Sequence, residues 1–195
     1  MYLLTAPIPD DLAAALRPYR QLYDTQVDAV PPHISVVPPF VFTGETAALF
    51  EHLSEIGQAH APIKVSVVGW DVHPYQGGFQ LRLPLIGGKS EVASLRQHVL
   101  TGPLAYLAQP NRIIWPHIEF GQVAAEADAA QAKEVLRQFE PKFVFRVMHI
   151  ELLVRDADTA PWQLHKKFAL EATVAGTRRR QSSSDGLDLN QLTRK

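Results

Sequence analysis

The tripeptide Pro-His-Ile occurs twice in this chain, at residues 32–34 and 116–118, and each copy opens a stretch with strand character. A proline fixes its own φ and cannot donate to a ladder, so it suits the start of a strand better than its middle. "HISVV" from His33 and "HIEFGQV" from His117 both continue with apolar and β-branched residues. Two strands with the same opening predict a fold built from two similar halves.

The elements around these two strands also repeat. Along residues 1–176 the apolar pattern switches between helix and strand period, which predicts the order βαβ, αββ, αβ, αββ. Pro18 is expected to bend or shorten the first helix. "IKVSVVGWDV" and "GFQLRLPL" are predicted to form one hairpin, and "KFVFRVMHIELLVRD" is predicted to be one long strand. This alternation favours an α+β fold with two similar lobes.

Composition bounds the class of protein. Residues 1–176 are predicted to form a single bilobal domain, and the polar, serine-rich residues 177–195 are predicted to be a disordered tail. A formal net charge of −1 gives no overall reason to expect a polyanionic partner, and the lack of cysteine excludes disulfides and thiolate chemistry. Neither a signal peptide nor a membrane span is predicted, so we expect a cytoplasmic monomer with no membrane contact and no obligate protein partner.

The two strands place chemistry-bearing side chains together. Residues i and i+2 of a strand point to the same face, so His33 projects with Ser35, and His117 projects with Glu119. If the lobes face each other, one neutral imidazole can take a proton from an attacking oxygen while the other, protonated, gives one to a leaving oxygen. A hydroxyl beside them can donate to the phosphate oxygens whose charge grows in the transition state. These four residues are therefore the predicted catalytic set.

With these motifs the chain resembles the 2H phosphoesterase superfamily, and within it the branch of 2′-5′ RNA ligase and RNA 2′,3′-cyclic phosphodiesterase proteins. The resemblance covers roughly residues 1 to 172 and includes "MYLLTAPIPDDL", "HISV", "RIIWPHIEF" and "APWQLHKKFAL". It implies a duplicated α+β fold of two small antiparallel sheets flanked by helices around a central cleft. It also implies that the two histidines act as acid and base, with no metal or organic cofactor.

The resemblance further implies a substrate class. A small nucleotide or an RNA terminus carrying a cyclic phosphate is the expected partner, and the expected reaction opens or hydrolyses that ring. Arg112, five residues before the second histidine, matches a position in this branch and is a candidate phosphate contact. The branch often has a basic residue five positions after that histidine, where this chain has Gln122. Weaker affinity for phosphate is the expected consequence.

Glu119 departs from the family pattern, which has Ser or Thr there. A carboxylate only accepts hydrogen bonds and repels a phosphodiester, at a cost of about 3 kcal/mol for like charges 5 Å apart at an effective dielectric of 20. Glu119 could pair with His117 or Arg112 and keep that histidine protonated. It could mark a changed or lost activity, or it could face away from the substrate after a local bulge.

Two aromatic residues complete the predicted binding set. Tyr75, in the turn "DVHPYQGG", could flank the cleft, and Trp162 could stack on a base, although a loop role and core packing are the simpler interpretations. A metal site made by His33, His117 and Glu119 is a further alternative. The non-enzymatic alternative is a protein that binds a nucleotide or RNA end without turning it over.

Overall fold

The computed structural model describes residues 1–109 and 115–172. The strands are β1 (Tyr2–Pro7), β2 (His33–Phe40), β3 (Ile63–Val68), β4 (Asp71–Tyr75), β5 (Gly78–Gly87), β6 (His117–Val123), β7 (Lys142–Val147), β8 (His149–Val154) and β9 (Gln163–Ala169). The helices are α1 (Asp10–Tyr23), α2 (Thr46–Ala59), α3 (Lys89–Val99) and α4 (Glu126–Leu136), with a 3₁₀ turn at Gly102–Leu107. The predicted domain end at residue 176 and the predicted tail lie outside the described residues.

The predicted α+β class is confirmed, with antiparallel strands throughout and helices packed against them. The hydrogen-bonded strand order is β7-β3-β5-β6-β2-β1-β8-β9, and β4 pairs with β5 beside this path. The first lobe contains β2, β1, β8 and β9, and the second contains β6, β5 and β4, extended by β3 and β7. The lobes join where Ile34 of β2 pairs with Ile118 of β6.

Two segments predicted as single strands are each two strands in the structure. The chain leaves β3 at Gly69, whose φ of 70° is left-handed, and Trp70 Nε1 then donates to Phe139 O at 2.9 Å before β4 begins. The second break is at Met148, whose carbonyl accepts from Leu170 N at 2.9 Å. On its two sides β7 pairs with β3, and β8 pairs with β1 and β9. Alternation of apolar residues continues through both breaks, so periodicity alone missed them.

With these breaks, the sequence folds as two βαβαββ units, β1 to β4 and β5 to β8, followed by β9. The register around the two histidine strands repeats as well. Pro7 pairs with His33 in the first unit, and Pro84 pairs with His117 in the second. In both units the register with the neighbouring strand shifts after the second residue past the histidine, which is Ser35 in the first unit and Glu119 in the second. Val36 and Phe120 are therefore the extra residues of equivalent β-bulges.

The helices connect the two units across the lobes. α1, which follows β1, packs against β6 of the second lobe, where Tyr19 meets Phe120 edge-on with ring centroids 6.4 Å apart. α3, which follows β5, packs against β2 of the first lobe, and its Arg96 donates to the carbonyl of Val36 in the bulge. Each histidine strand is therefore supported from beneath by a helix of the other unit. In the part of the chain that the structure describes, no helix is long and apolar enough to cross a membrane.

Candidate active site

The rings of His33 and His117 are anchored in the same way. His33 Nδ1 lies 2.8 Å from Pro31 O, and His117 Nδ1 lies 2.8 Å from Trp115 O, each carbonyl being two residues before its histidine. A carbonyl oxygen only accepts, so both Nδ1 atoms carry the proton and both Nε2 atoms keep a lone pair. The duplicated backbone therefore presents the same ring nitrogen from each lobe.

Burial lowers the pKa of both histidines below the usual value. Desolvation is the largest effect at each ring, and the hydrogen bond to the backbone carbonyl partly opposes it. The nearby charges of Arg20 for His33 and of Arg82 for His117 lower the pKa further. At neutral pH the free protein thus holds both imidazoles in the neutral form that can accept a proton.

Pairing between β2 and β6 brings the histidines to one face. Ile34 and Ile118 are fully buried and directly opposite each other, so their side chains point into the core. Continued by one residue in each direction, this antiparallel register sets His33 opposite Glu119 and Ser35 opposite His117. The predicted convergence of the four side chains on one face of the joined sheets follows from this register.

On the first lobe, Ser35 lies in a row of side chains that crosses β2, β1 and β8. Thr5 of β1 pairs with Ser35 on one side and with Glu151 of β8 on the other. Glu151 Oε1 accepts from Lys167 Nζ at 2.9 Å and from His149 Nε2 at 3.0 Å. Burial raises the pKa of Glu151, but these hydrogen bonds outweigh it and the net shift is downward. The carboxylate nearest Ser35 in this row is thus already neutralised by a lysine.

On the second lobe, Glu119 is bound by two amides. Gln80 Nε2 donates to one oxygen and Gln122 Nε2 to the other, each at 2.6 Å. The bulge after Glu119 makes this possible, because it places residues three apart on one face. Of the two predicted partners, His117 makes no hydrogen bond to Glu119 among the described residues, and Arg112 lies outside them. Burial raises the pKa of Glu119, although both amides lower it.

Arg82 is a site residue that sequence reasoning missed. It stands opposite Glu119 on β5, at the position equivalent to Thr5 in the first unit. Its guanidinium makes a two-point ion pair with Asp71 of β4, with Nε to Oδ1 at 2.6 Å and Nη2 to Oδ2 at 3.0 Å. The ion pair with Asp71 thus fixes this guanidinium on the strand next to Glu119.

A pocket of about 180 Å³ lies beside His117. Besides Arg82 it is lined by Lys89 and Trp115, together with Pro84, Leu85 and Pro116. The Lys89 ammonium lies 3.5 Å from the centre of the Trp115 ring, which is 56% exposed. Trp115 directly precedes the second Pro-His-Ile, and that position is the signal that could have identified it.

Three predicted binding residues have different outcomes. Arg112 lies outside the described residues. Tyr75 is on the histidine face of β4, but four residues along the strand from Asp71, or about 13 Å. Trp162 packs under the guanidinium of Arg155 at 4.6 Å, and its backbone NH donates to Ala29 O at 2.8 Å. The structure thus gives Trp162 a packing contact next to the segment that leads to His33.

Within residues 1–109 and 115–172, no group of three or more His, Asp or Glu side chains is arranged to hold a metal ion. The alternative set of His33, His117 and Glu119 is not such a group. A larger groove of about 350 Å³ lies between α1 and the segment that precedes β2, and neither histidine lines it.

Comparison with known proteins identifies the family. A sequence model of the 2′-5′ RNA ligase superfamily matches residues 8–159, so the chain belongs to that superfamily, as the resemblance predicted. A protein of Shouchella clausii (strain KSM-K16), named as a candidate phosphoesterase, is 23% identical over 155 residues, which are 78% of this chain and 88% of that protein.

Solved structures share the fold. Escherichia coli LigT complexed with ATP superposes with a TM-score of 0.62 at 14% identity, covering 88% of this chain and 98% of LigT. LigT complexed with 3′-AMP gives a TM-score of 0.57 at 15% identity, covering 87% and 97%. The protein TT0787 of Thermus thermophilus gives 0.59 at 15% identity, covering 87% and 97%. At these identities the likeness establishes the two-lobed fold.

Proposed function

We propose that this protein is a metal-independent phosphoesterase that opens a cyclic phosphodiester at an RNA end or on a small nucleotide. The observation that carries the proposal is the matched pair of histidines, whose Nδ1 atoms are held by equivalent carbonyls and whose Nε2 atoms are left for chemistry. Its family membership and the nucleotides held by LigT agree with such a substrate.

The reaction divides between the two rings. One neutral Nε2 removes a proton from water as the water oxygen bonds to phosphorus, and the other ring, protonated, gives its proton to the ribose oxygen as the phosphorus–oxygen bond breaks. The product is a phosphomonoester, and the exchanged protons return through solvent. Both rings are neutral in the free protein at pH 7, so the anionic substrate has to raise the pKa of the acid when it binds.

Neighbouring residues assist unequally. Ser35 donates to a non-bridging phosphate oxygen, as its position beside both histidines allows. Arg82, held in place by Asp71, stabilises the same charge from the second lobe. Glu119 does not donate a hydrogen bond to the phosphate, since its two oxygens accept hydrogen bonds from Gln80 and Gln122. We assign it the role of fixing Gln80 and Gln122 at the edge of the site. The protein acts as a cytoplasmic monomer in this proposal, without an organic cofactor.

The experiment uses a nucleoside 2′,3′-cyclic phosphate and a short RNA ending in one, each with and without EDTA. We expect ring opening that resists EDTA, and a loss of about 1,000-fold in kcat/KM in His33→Ala and in His117→Ala, because each ring supplies a general acid or base. His98→Ala, on α3 away from the pair, is the control. Sensitivity to EDTA, or full activity in either histidine variant, would refute the mechanism.

A second candidate function is binding without turnover, and Glu119 is the observation that favours it. Its carboxylate occupies the place of a family hydroxyl donor, so the site has one donor fewer for the phosphate. A wild-type protein that binds 3′-AMP but opens no cyclic phosphate at any pH would support this alternative. Size-exclusion chromatography with light scattering measures the molar mass in solution and so tests the proposed monomer.

A further inference from the structure

The histidine face of the second lobe continues past the active site onto an open sheet surface. Pro84 of β5 pairs with His117 of β6. On the other side of β5, Leu85 pairs with Val67 of β3, and continuing this register by one residue places Val68 beside Pro84. Val68 in turn pairs with Lys142 of β7. A row of residues therefore crosses β6, β5, β3 and β7 on the same face, and it spans about 14 Å at the usual strand spacing.

We call the outer part of this surface the β3–β7 face, formed by Lys64, Ser66, Val68, Lys142, Val144 and Arg146. Burial follows strict alternation here, since the intervening residues of both strands point into the core. Val68 and Val144 are 52% and 64% exposed. The face is an uncovered sheet surface.

Its charge is of one sign. Lys64 stands directly opposite Arg146, and Lys142 stands opposite Val68. Among the described residues, none of these three cations has an ion pair with a carboxylate. Like charges opposite each other on a sheet are destabilising, so an arrangement of this kind indicates a polyanionic partner.

The pocket beside His117 is lined in part by Pro84 and Leu85 of β5, the strand between β6 and β3. Lys89 begins α3 directly after Gly88, where an added Cβ would meet the backbone oxygen of Lys64 at 2.6 Å. The exposed ring of Trp115 provides an apolar surface on which a base can stack. The pocket with Lys89 and Trp115 and the cations of the β3–β7 face thus lie on the same side of the histidines, in the second lobe.

The first lobe differs beside its histidine. Beyond Thr5 its face is covered, since Leu3 and Leu153 are 4% and 3% exposed, and the segment before β2 is tied to Trp162 through the Ala29 carbonyl. We propose that the β3–β7 face and the His117 pocket bind the nucleotides on the 5′ side of the reacting end, so that the preferred substrate is an RNA chain rather than a mononucleotide. This inference rests on the proposed function for its choice of substrate.

The test compares a mononucleoside 2′,3′-cyclic phosphate with RNAs of two, three and five nucleotides ending in the same group. We expect kcat/KM to rise with chain length by about 10-fold or more, mainly through KM, because additional phosphates meet cations. Lys64→Ala/Arg146→Ala should remove this gain and leave the mononucleotide rate unchanged. It should also lower the slope of log K against log salt by about 1.4, as expected when two phosphate contacts of a single strand are lost.

Lys133→Ala/Arg137→Ala is the matched control, since it removes an exposed lysine of α4 and the exposed arginine that caps its C-terminal end. This helix packs on the opposite face of β5 and β6. It should keep the chain-length gain. Equal kcat/KM for all lengths, or an equal loss in the control, would overturn the inference while leaving the proposed function intact.

A binding measurement separates the two proposals if no substrate turns over. Fluorescence anisotropy with a five-nucleotide RNA ending in a 3′-phosphate should show binding that Lys64→Ala/Arg146→Ala weakens about 10-fold and the control does not. Binding of this kind in a protein without turnover would support the surface and reject the catalytic function. An acidic peptide that binds as tightly as the RNA would overturn the assignment of RNA as the partner.

Discussion

The two lobes present their histidines through the same backbone but surround them with different side chains. Each ring is anchored by the carbonyl two residues earlier, faces a proline, and precedes an equivalent bulge. At the next position on the same face, the first lobe has Ser35 beside Thr5, and the second has Glu119 beside Arg82. Presentation of the reactive nitrogen is thus a backbone property, independent of the residue two positions later. The hydrogen-bond donors and the charges beside the two histidines can therefore differ between the lobes, while the geometry of the histidines stays the same.

The lobes also differ in what lies beyond the histidines. The first lobe buries Leu3 and Leu153 beyond Thr5, and Arg20 holds the chain that precedes β2 by donating to Val30 O at 2.7 Å and pairing with Asp24 at 2.7 Å. The second lobe leaves its face open toward β3 and β7. In our proposal, a substrate longer than one nucleotide extends toward β3 and β7.

Ser35→Glu should have the largest effect on this comparison, because it gives both lobes a carboxylate. The first lobe has Thr5, and not an arginine, opposite this position, so the added charge is uncompensated. A like charge about 5 Å from the phosphate costs about 3 kcal/mol, which is about 100-fold in kcat/KM. Steady-state kinetics on a nucleoside 2′,3′-cyclic phosphate measures it, with Ser35→Ala to separate the lost donor from the added charge. Equal rates in the two variants would mean that charge at this position is unimportant.

Glu119→Ser makes the lobes alike in the other direction. The substitution removes a carboxylate charge and adds a hydroxyl donor, so kcat/KM should rise by about 10-fold, less than the full charge effect because the amides of Gln80 and Gln122 already stabilise the carboxylate. The same assay measures the change, and Gln122→Ala controls for loss of the amide contacts. A slower Glu119→Ser enzyme would show that the carboxylate takes part in the reaction.

Gly121→Ala tests the packing difference between the bulges. Gly121 occupies the place that Val37 has in the first unit, and a Cβ added there would meet the Tyr23 Cβ of α1 at 2.5 Å. A displacement of α1 should cost about 1–3 kcal/mol of unfolding free energy. Thermal and urea denaturation measure it, with Gly77→Ala for comparison, since space is open there but φ is positive. An unchanged stability would mean that α1 shifts without cost.

The smallest expected effect is a shift of the pH optimum of kcat/KM to lower pH. Both histidine pKa values lie below the usual 6.5 because of burial. The rate needs one ring protonated and one neutral, so kcat/KM falls when pH rises past the acid's pKa or drops below the base's pKa. The optimum should therefore lie below about pH 6.5. Measurements from pH 4.5 to 8.5 locate it, and an optimum above pH 7 would contradict the neutral state assigned to the free rings.

Local patterns gave the fold class and the duplicated histidine strands, because alternation and a leading proline act within a few residues. Breaks at Gly69 and Met148 could not be predicted, since they depend on which distant strands pair with each side. Pro18 does not shorten α1, which continues to Tyr23 with Leu12 and Leu16 buried. Packing outweighed the missing hydrogen bond.

The site was predicted in part for the same reason. Ser35 and Glu119 follow from i, i+2 spacing, whereas Arg82 and Gln80 reach Glu119 through the β5–β6 register. A signal for Arg82 was nevertheless present. "LTAP" at 4–7 and "LRLP" at 81–84 share the Leu-x-x-Pro spacing, and the structure aligns both against the histidine strands.

The crossed helices have a consequence for how the molecule could come apart. The first lobe is completed by β8 and α3 of the second unit, and the second lobe by β4 and α1 of the first. The halves of the sequence are consequently not the halves of the protein. A chain cut at the Gln76–Gly77 turn would yield two fragments that each lack part of both sheets, and neither could hold a histidine in place until the other wrapped around it.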